Sequence, residues 1–321
     1  MRRIRITIIL IIIISAIAGL FYYEGSLPLD ASDTAPMTFV IDQGAPLNTI
    51  INDLNKAELI RSKLVFYVLV RSLKLENRIQ AGSFRLSPSM SAQEIATALT
   101  QGSDDIWITI IEGTRKEEIA HIITRELNIP EAEFIAQAQE GTLFPDTYLF
   151  PKTASTEQVL SIFKANFDKK YSPELREKAR ARGFTDNQVL TIASMVEREA
   201  NTPVAMQEVA SIIVKRWKAD WPLQIDATVQ YILGYQDEAG SWWKTRLTRA
   251  DLDTTSLYNT YAHPGLPPAP IANPGLESIK AVINSDVSTP YWFYISNKDG
   301  SKMIYSKTVE EHNANIAKYL N

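Results

Sequence analysis

The chain contains no cysteine. Disulfides, thiolate metal sites, iron–sulfur clusters and cysteine nucleophiles are therefore excluded. Its three histidines, His121, His263 and His312, lie far apart, which argues against a histidine-rich metal site. There is no glycine-rich phosphate loop, no G-x-S-x-G elbow and no H-E-x-x-H, so neither a cofactor nor a metal is expected. Positive charge is not in excess: 33 basic against 37 acidic residues leave a net charge of -4. That balance argues against a dedicated nucleic-acid binder. Thirteen glycines and 16 prolines are too few for collagen-like or low-complexity classes. With 45% hydrophobic and 22% charged residues the chain is globular, and 321 residues admit two domains or three small ones.

The first 24 residues depart from this average. Arg2, Arg3 and Arg5 precede an uncharged run from Ile6 to Tyr23 dominated by Ile and Leu. Eighteen residues of helix rise about 27 Å, close to the hydrocarbon thickness of a bilayer. A cleaved signal peptide has a shorter apolar region, and Ala16-Ile17-Ala18, the one candidate cleavage site, lies inside the run. The reading is an uncleaved single-pass anchor with its arginines in the cytoplasm. Such an anchor, followed by a long cysteine-free remainder, suits a bacterial inner-membrane protein facing the periplasm.

Residues 25–37 are polar and proline-containing and read as a linker. Residues 38–103 predict strand, helix, helix, strand, helix, the last opened by a capping box at Ser91-Ala92-Gln93-Glu94. This order resembles a small LysM-like module. Residues 104–321 form the larger domain, so the fold class is α+β, with an N-terminal transmembrane helix, a LysM-like module and an α+β catalytic domain. Within it, Ile106–Ile111 reads as a strand, the stretch around Ile119, Ile122 and Ile123 as a helix, residues 140–148 as a shaped loop, and about 156–170 as another helix.

Chemistry concentrates after residue 185. Thr185 and Gln188 form a capping box, and Val189, Ile192, Ala193, Val196 and Ala200 share one apolar face. Glu197 and Glu199 flank that face on opposite sides, which makes it difficult for them to act as a pair on one substrate atom. Thr202-Pro203 ends the helix and leaves both carboxylates in its last turn, where the negative dipole end raises a carboxyl pKa, more strongly for Glu199. After a second helix at about 204–219, Gln224, Asp226 and Thr228 alternate, which predicts one polar side of a strand. Five prolines between Gly265 and Gly275 build a stiff loop. A hairpin is expected from Tyr291–Ser296 and Met303–Ser306, turning at Asp299-Gly300, and then a helix capped at Thr308.

The segments ASMVEREA, PLQIDATVQYILG, YNTYAHPGLPPAPIANPG and SKTVEEHN, in that order, together with EGTLFPDTY and AGSFRL, resemble the YceG-like family of endolytic murein transglycosylases. The resemblance covers nearly the whole chain. It implies lytic cleavage of the MurNAc-β-1,4-GlcNAc bond inside peptidoglycan strands, leaving a 1,6-anhydroMurNAc end and terminating strand elongation. The catalytic residue it implies is the second Glu of the E-x-E pair, Glu199. Substrate contacts are expected from Gln224, Asp226, Thr228, Tyr258, Asn259, Tyr261, Asn273 and Glu197, with Trp217 and Trp221 as further aromatic candidates. Peptidoglycan strands are the expected partner, with membrane cell-wall synthases of the penicillin-binding class beside them, and no nucleic acid. Two positions depart from the family pattern: Ala227 stands where proline usually follows the motif's Asp, and Met303 stands where a hairpin histidine is common, two residues before the aromatic Tyr305. Two other readings remain open. One is a non-catalytic glycan-binding scaffold of the cell-wall machinery. The other is a hydrolase using both Glu197 and Glu199.

Overall fold

The computed structural model describes residues 2–102, 105–298 and 300–320. The chain divides into two compact units, residues 1–108 with 148–153, and residues 109–147 with 154–321. The boundary expected at 103/104 falls on residues outside those described.

The front unit begins with α1 (Arg2–Ser26). Its stretch Ile6–Ser26 has a mean hydropathy of 2.5, and residues 6–24 are exposed. It is long and apolar enough to cross a membrane. Strand β1 (Met37–Ile41), helices α2 (Leu47–Lys56) and α3 (Lys63–Ser72), strand β2 (Gly82–Leu86) and helix α4 (Ala92–Ala98) follow. β1 and β2 pair antiparallel with Phe39 opposite Phe84. Leu54, Phe66, Leu86, Ile95 and Leu99 close one core between this hairpin and the helices. Ser91 caps α4 through the reciprocal box expected from its sequence. The segment expected to be a linker is bonded to the unit: Arg61 donates to the carbonyls of Pro28 and Leu29, and the backbone joins Asp30 to Pro88 and Ser89 to Asp33. Strands β3 (Asp105–Thr109) and β4 (Thr147–Pro151) form a second two-stranded sheet.

The larger unit is mainly helical. It contains α5 (Lys116–Leu127), α6 (Glu131–Gln137), α7 (Thr156–Lys170), α8 (Pro173–Ala181), α9 (Asp186–Glu199), α10 (Pro203–Lys218), α11 (Asp226–Leu233), α12 (Arg249–Leu252) and α13 (Leu276–Ile283). The hairpin β5 (Phe293–Ser296) and β6 (Met303–Ser306) and the last helix α14 (Val309–Tyr319) complete it. Its core lies where α9, α10 and α13 pack together, around Val189, Ile192, Val196, Val209, Ile213, Ile279 and Val282. Thr185 and Gln188 cap α9 reciprocally, and Thr202 caps α10 with Pro203 at its first turn. The antiparallel hairpin pairs Tyr294 with Tyr305. Its expected turn includes Asp299, which lies outside the described residues.

One element is corrected. The strand expected at residues 222–229 is absent. Gln224 has φ +53, a left-handed conformation that ends any extended run, and Asp226 opens helix α11. The alternation of polar residues there comes from a turn followed by a helix start, not from a pleat.

Candidate active site

Helix α9 delivers Glu199 because its core face fixes its rotation. Val189, Ile192, Ala193 and Val196 are fully buried, so the side chains at 197 and 199 leave on opposite flanks. The two glutamates consequently meet different surroundings.

Glu197 points at the start of α13. Its Oε2 accepts from the Gly275 N–H at 2.9 Å and from the Ser278 hydroxyl. A carboxylate at a helix N-terminus satisfies orphan donors and the positive dipole end. Glu197 therefore fastens α9 to α13 and stands apart from the groove.

Glu199 opens on a groove of about 620 Å³, lined also by Arg198, Arg216, Gln224, Asp226, Gln230, Tyr261, Tyr294, Met303 and His312. Burial pushes its carboxyl up to about 7, and the neighbouring Asp226 charge adds to the rise. A hydrogen bond from Tyr294 and the charges of Arg198 and Arg216 pull the other way without cancelling it. Burial and a second carboxylate thus raise it, the direction expected from its place in the last turn of α9. Burial keeps the Tyr294 phenol well above its ordinary range, so it stays protonated and donates.

Each partner has its own support. Arg216, on α10, is buried and spends Nε on the Trp292 carbonyl at 2.7 Å and Nη1 on that of Leu223 at 2.8 Å. Those bonds hold its charge beside Glu199 and join α10 to the strand that brings Tyr294. Asp226 is the first residue of α11 and accepts the Tyr261 hydroxyl at 2.5 Å. Arg198 stacks on the Trp243 ring, 3.8 Å from its centroid, at another edge of the groove. His312, on α14, lies over Phe293 with ring centroids 5.0 Å apart. Its pKa is lowered by burial and by Arg216, so the imidazole is neutral at pH 7.

Of the residues expected to bind substrate, Gln224, Asp226 and Tyr261 line this groove with Glu199. The others do not. Thr228 is fully buried, bonded to the Ile225 carbonyl and the Thr260 hydroxyl. Asn259 is fully buried and donates to the carbonyls of Leu252 and Thr254, while its Oδ1 accepts the Tyr261 N–H at 3.0 Å. It shapes the turn that presents Tyr261. Tyr258 packs on Tyr231, with ring centroids 5.2 Å apart. Trp217 stacks on Phe184, and Trp221 packs at a tilt against Trp292. Met303 lines the groove, whereas Tyr305 packs on Tyr291.

Asn273 belongs to another centre. Its side chain donates to Glu140 at 2.7 Å and accepts the Leu143 N–H at 2.9 Å. Glu140 also accepts the Lys116 N–H at the start of α5, at 3.0 Å. Burial and the Glu117 charge push Glu140 to about 7 as well. It is only 8% exposed, however, and its bonds tie its loop to Asn273, to the start of α5 and to Tyr231 on α11. Glu140 is a structural clasp that the sequence did not announce. Arg216, Tyr294 and His312 carry no local signal in the sequence either. Among the described residues no group of three or more His, Asp or Glu side chains is placed to hold a metal.

A family model described as "YceG-like family" matches residues 39–318. The chain is 29% identical to an "Endolytic murein transglycosylase" of Bacillus subtilis, over 95% of this chain and 91% of that one. It is 27% identical to a protein of the same name from Streptococcus pneumoniae serotype 2, over 94% of this chain and 61% of that one. It therefore spans about three-fifths of the pneumococcal relative. A crystal structure of a yceG-like protein from Listeria monocytogenes superposes with a TM-score of 0.60 at 27% identity, covering 87% of this chain and 98% of that one.

Proposed function

The chain belongs to the YceG-like family, and on that premise we propose that it is an endolytic peptidoglycan lytic transglycosylase whose general acid and base is Glu199. The observation that carries this reading is a single carboxyl, held up to about 7 by burial, open to a polar groove and gripped by Tyr294. A general acid works best when its pKa lies near the working pH. The names of the relatives support peptidoglycan as substrate.

Protonated Glu199 gives its proton to the glycosidic oxygen as the bond from MurNAc C1 breaks and GlcNAc leaves. As carboxylate it then takes the proton of the muramoyl C6 hydroxyl, whose oxygen bonds to C1. The product is a 1,6-anhydroMurNAc end, no water is consumed, and Glu199 returns to its acid form. Tyr294 and Arg216 stabilise the carboxylate of the second step. Asp226 and Tyr261 hold sugar hydroxyls, with Gln224 beside them.

Asp226 also favours a second reading. It is a second carboxylate in the groove, and a hydrolase uses two. Glu197, committed to α13, does not fill that role. A non-catalytic scaffold is the third reading, motivated by Met303 in place of the hairpin histidine. The apolar helix α1 is compatible with a single-pass anchor. In the proposed arrangement its N-terminus is cytoplasmic, the larger unit works in the periplasm on strands leaving a membrane synthase, and cleavage ends their elongation. The front unit is the LysM-like module of that arrangement.

The test is anhydromuramoyl product formed from purified strands. Glu199→Gln keeps the size of the side chain but delivers no proton, and is expected to lose on the order of 10³–10⁴-fold in rate. Glu197→Gln is expected to keep most activity in the folded fraction. Equal, mild losses in both reject Glu199 as catalyst.

A further inference from the structure

Helix α3 is apolar on every side. Val65, Phe66, Leu69 and Val70 face the core of the front unit and are 3% exposed or less. Leu64, Tyr67, Val68 and Arg71 form the opposite stripe at the spacing of one helix face. On that stripe Leu64 is 62% and Val68 44% exposed. A helix apolar all round is ordinarily covered all round. Here Leu64 and Val68 are bare, while Tyr67 is half-buried against the core and lies under the Arg71 guanidinium.

The position of α3 in the unit indicates what covers it. Gly25, in the last turn of α1, is buried against the first turn of α3: a β-carbon there would lie 2.5 Å from Val65 Cγ2 and 3.2 Å from Ser62 Cβ. Arg61, just before α3, donates to the carbonyls of Pro28 and Leu29, just after α1. The start of α3 is thus clamped to the end of the apolar span, about 3 Å along the helix axis beyond Tyr23. Residues 61–74 carry Arg61, Lys63, Arg71 and Lys74 and no acidic residue; Arg71 pairs with Glu76 at 3.0 Å and Lys63 donates to the Asn52 side chain at 2.9 Å, and both remain exposed. An apolar stripe flanked by basic residues fits the boundary between acyl chains and anionic headgroups.

We propose that the outer face of α3 rests on the surface of the same bilayer that α1 spans, with Leu64 and Val68 at the acyl boundary and the basic residues among anionic phosphates. The proposal rests on the anchor reading of α1 and not on the catalytic one. It makes the front unit a membrane-seated base instead of a module swinging on its anchor.

The absence of native cysteine allows one label per molecule. The full chain is placed in nanodiscs of phosphatidylethanolamine and phosphatidylglycerol, a fraction of the lipid carrying bromine on its acyl chains. An environment-sensitive dye on Leu20→Cys reports the span, and on Leu64→Cys the proposed seat. Val68→Cys gives a second reading of the seat if the Leu64 variant folds poorly. The expected result is quenching and a blue shift at both positions, relative to the same dye on free cysteine. A quenched Leu20 label beside water-like, unquenched labels at 64 and 68 overturns the membrane seat and leaves the anchor standing. Unquenched labels at all three overturn both. Catalytic activity is not read, so the outcome is independent of whether Glu199 is the catalyst.

Discussion

Glu199 and Glu197 are the same residue type, two positions apart, at one helix end. The environment alone separates them. Glu199 is pushed to about 7 by burial and by Asp226. Because the acid form starts the reaction, the rate of the free enzyme is expected to fall as pH rises through about 7, well above the ordinary carboxylate range of about 4. A pH profile of kcat/KM checks this, and a rate that climbs to a plateau above pH 8 contradicts it. The same shift has a stability consequence. A carboxyl whose folded pKa is raised favours folding below its unfolded pKa, and that contribution is lost as pH rises through the folded value. Glu199→Gln removes the buried charge. Its Tm is therefore expected to exceed the wild-type Tm at pH 8 and to match it near pH 4.5, by thermal scans at both. Asp226 makes a contrasting prediction. It is exposed and bonded to Tyr261, so Asp226→Ala is expected to cut turnover while shifting Tm little. A large fall in Tm with normal activity in the folded fraction would make it structural.

At the scale of elements, the sequence was most legible where local chemistry decides. Capping boxes at Ser91 and Thr185, the cap at Thr308 and the apolar stripe of α9 carried their own signals, and each forms. The helix expected at about 156–170 forms as α7, Thr156–Lys170, opened by a capping box of Ser155 and Gln158. The failure at 222–229 is equally local. A period-2 pattern over seven residues does not distinguish a strand from a turn with one left-handed residue and a helix start. Gln224 at φ +53 is a conformation only tertiary bonding makes acceptable, here its N–H to the Thr260 carbonyl at 3.2 Å. The loop residues were legible as loop formers but not as to their partners. Asn259 and Asn273 read as polar groups free for sugar, yet Asn259 is consumed by backbone and Asn273 by backbone and Glu140, because a buried irregular loop must satisfy its own donors and acceptors. Gly141 shows how tightly these loops meet. It has φ +86, and a β-carbon there would approach Pro270 Cγ to 2.6 Å. Gly141→Ala combines backbone strain with a clash against a rigid ring and is expected to cost about 2 kcal/mol or more, read by denaturant unfolding. A neutral substitution would show that the Glu140 loop and the proline loop are free to separate.

At the scale of the molecule, the groove is assembled from α9, α10, α11, the 258–261 turn, the hairpin and α14, elements spread over more than a hundred residues. No sequence window contains it, which is why Arg216, Tyr294 and His312 were not seen beside Glu199. The wall from β6 and α14 presents Met303 and a neutral His312. The reaction proposed for this assembly is cleavage inside a glycan strand. It is tested most directly by mass spectrometry of the fragments that the purified full chain releases from long peptidoglycan strands. Fragments from internal cuts, ending in 1,6-anhydroMurNAc with no water added, made by the wild-type protein and not by Glu199→Gln, are the predicted result. Reducing ends carrying one added water per cut, or intact strands with the wild-type protein, would contradict it.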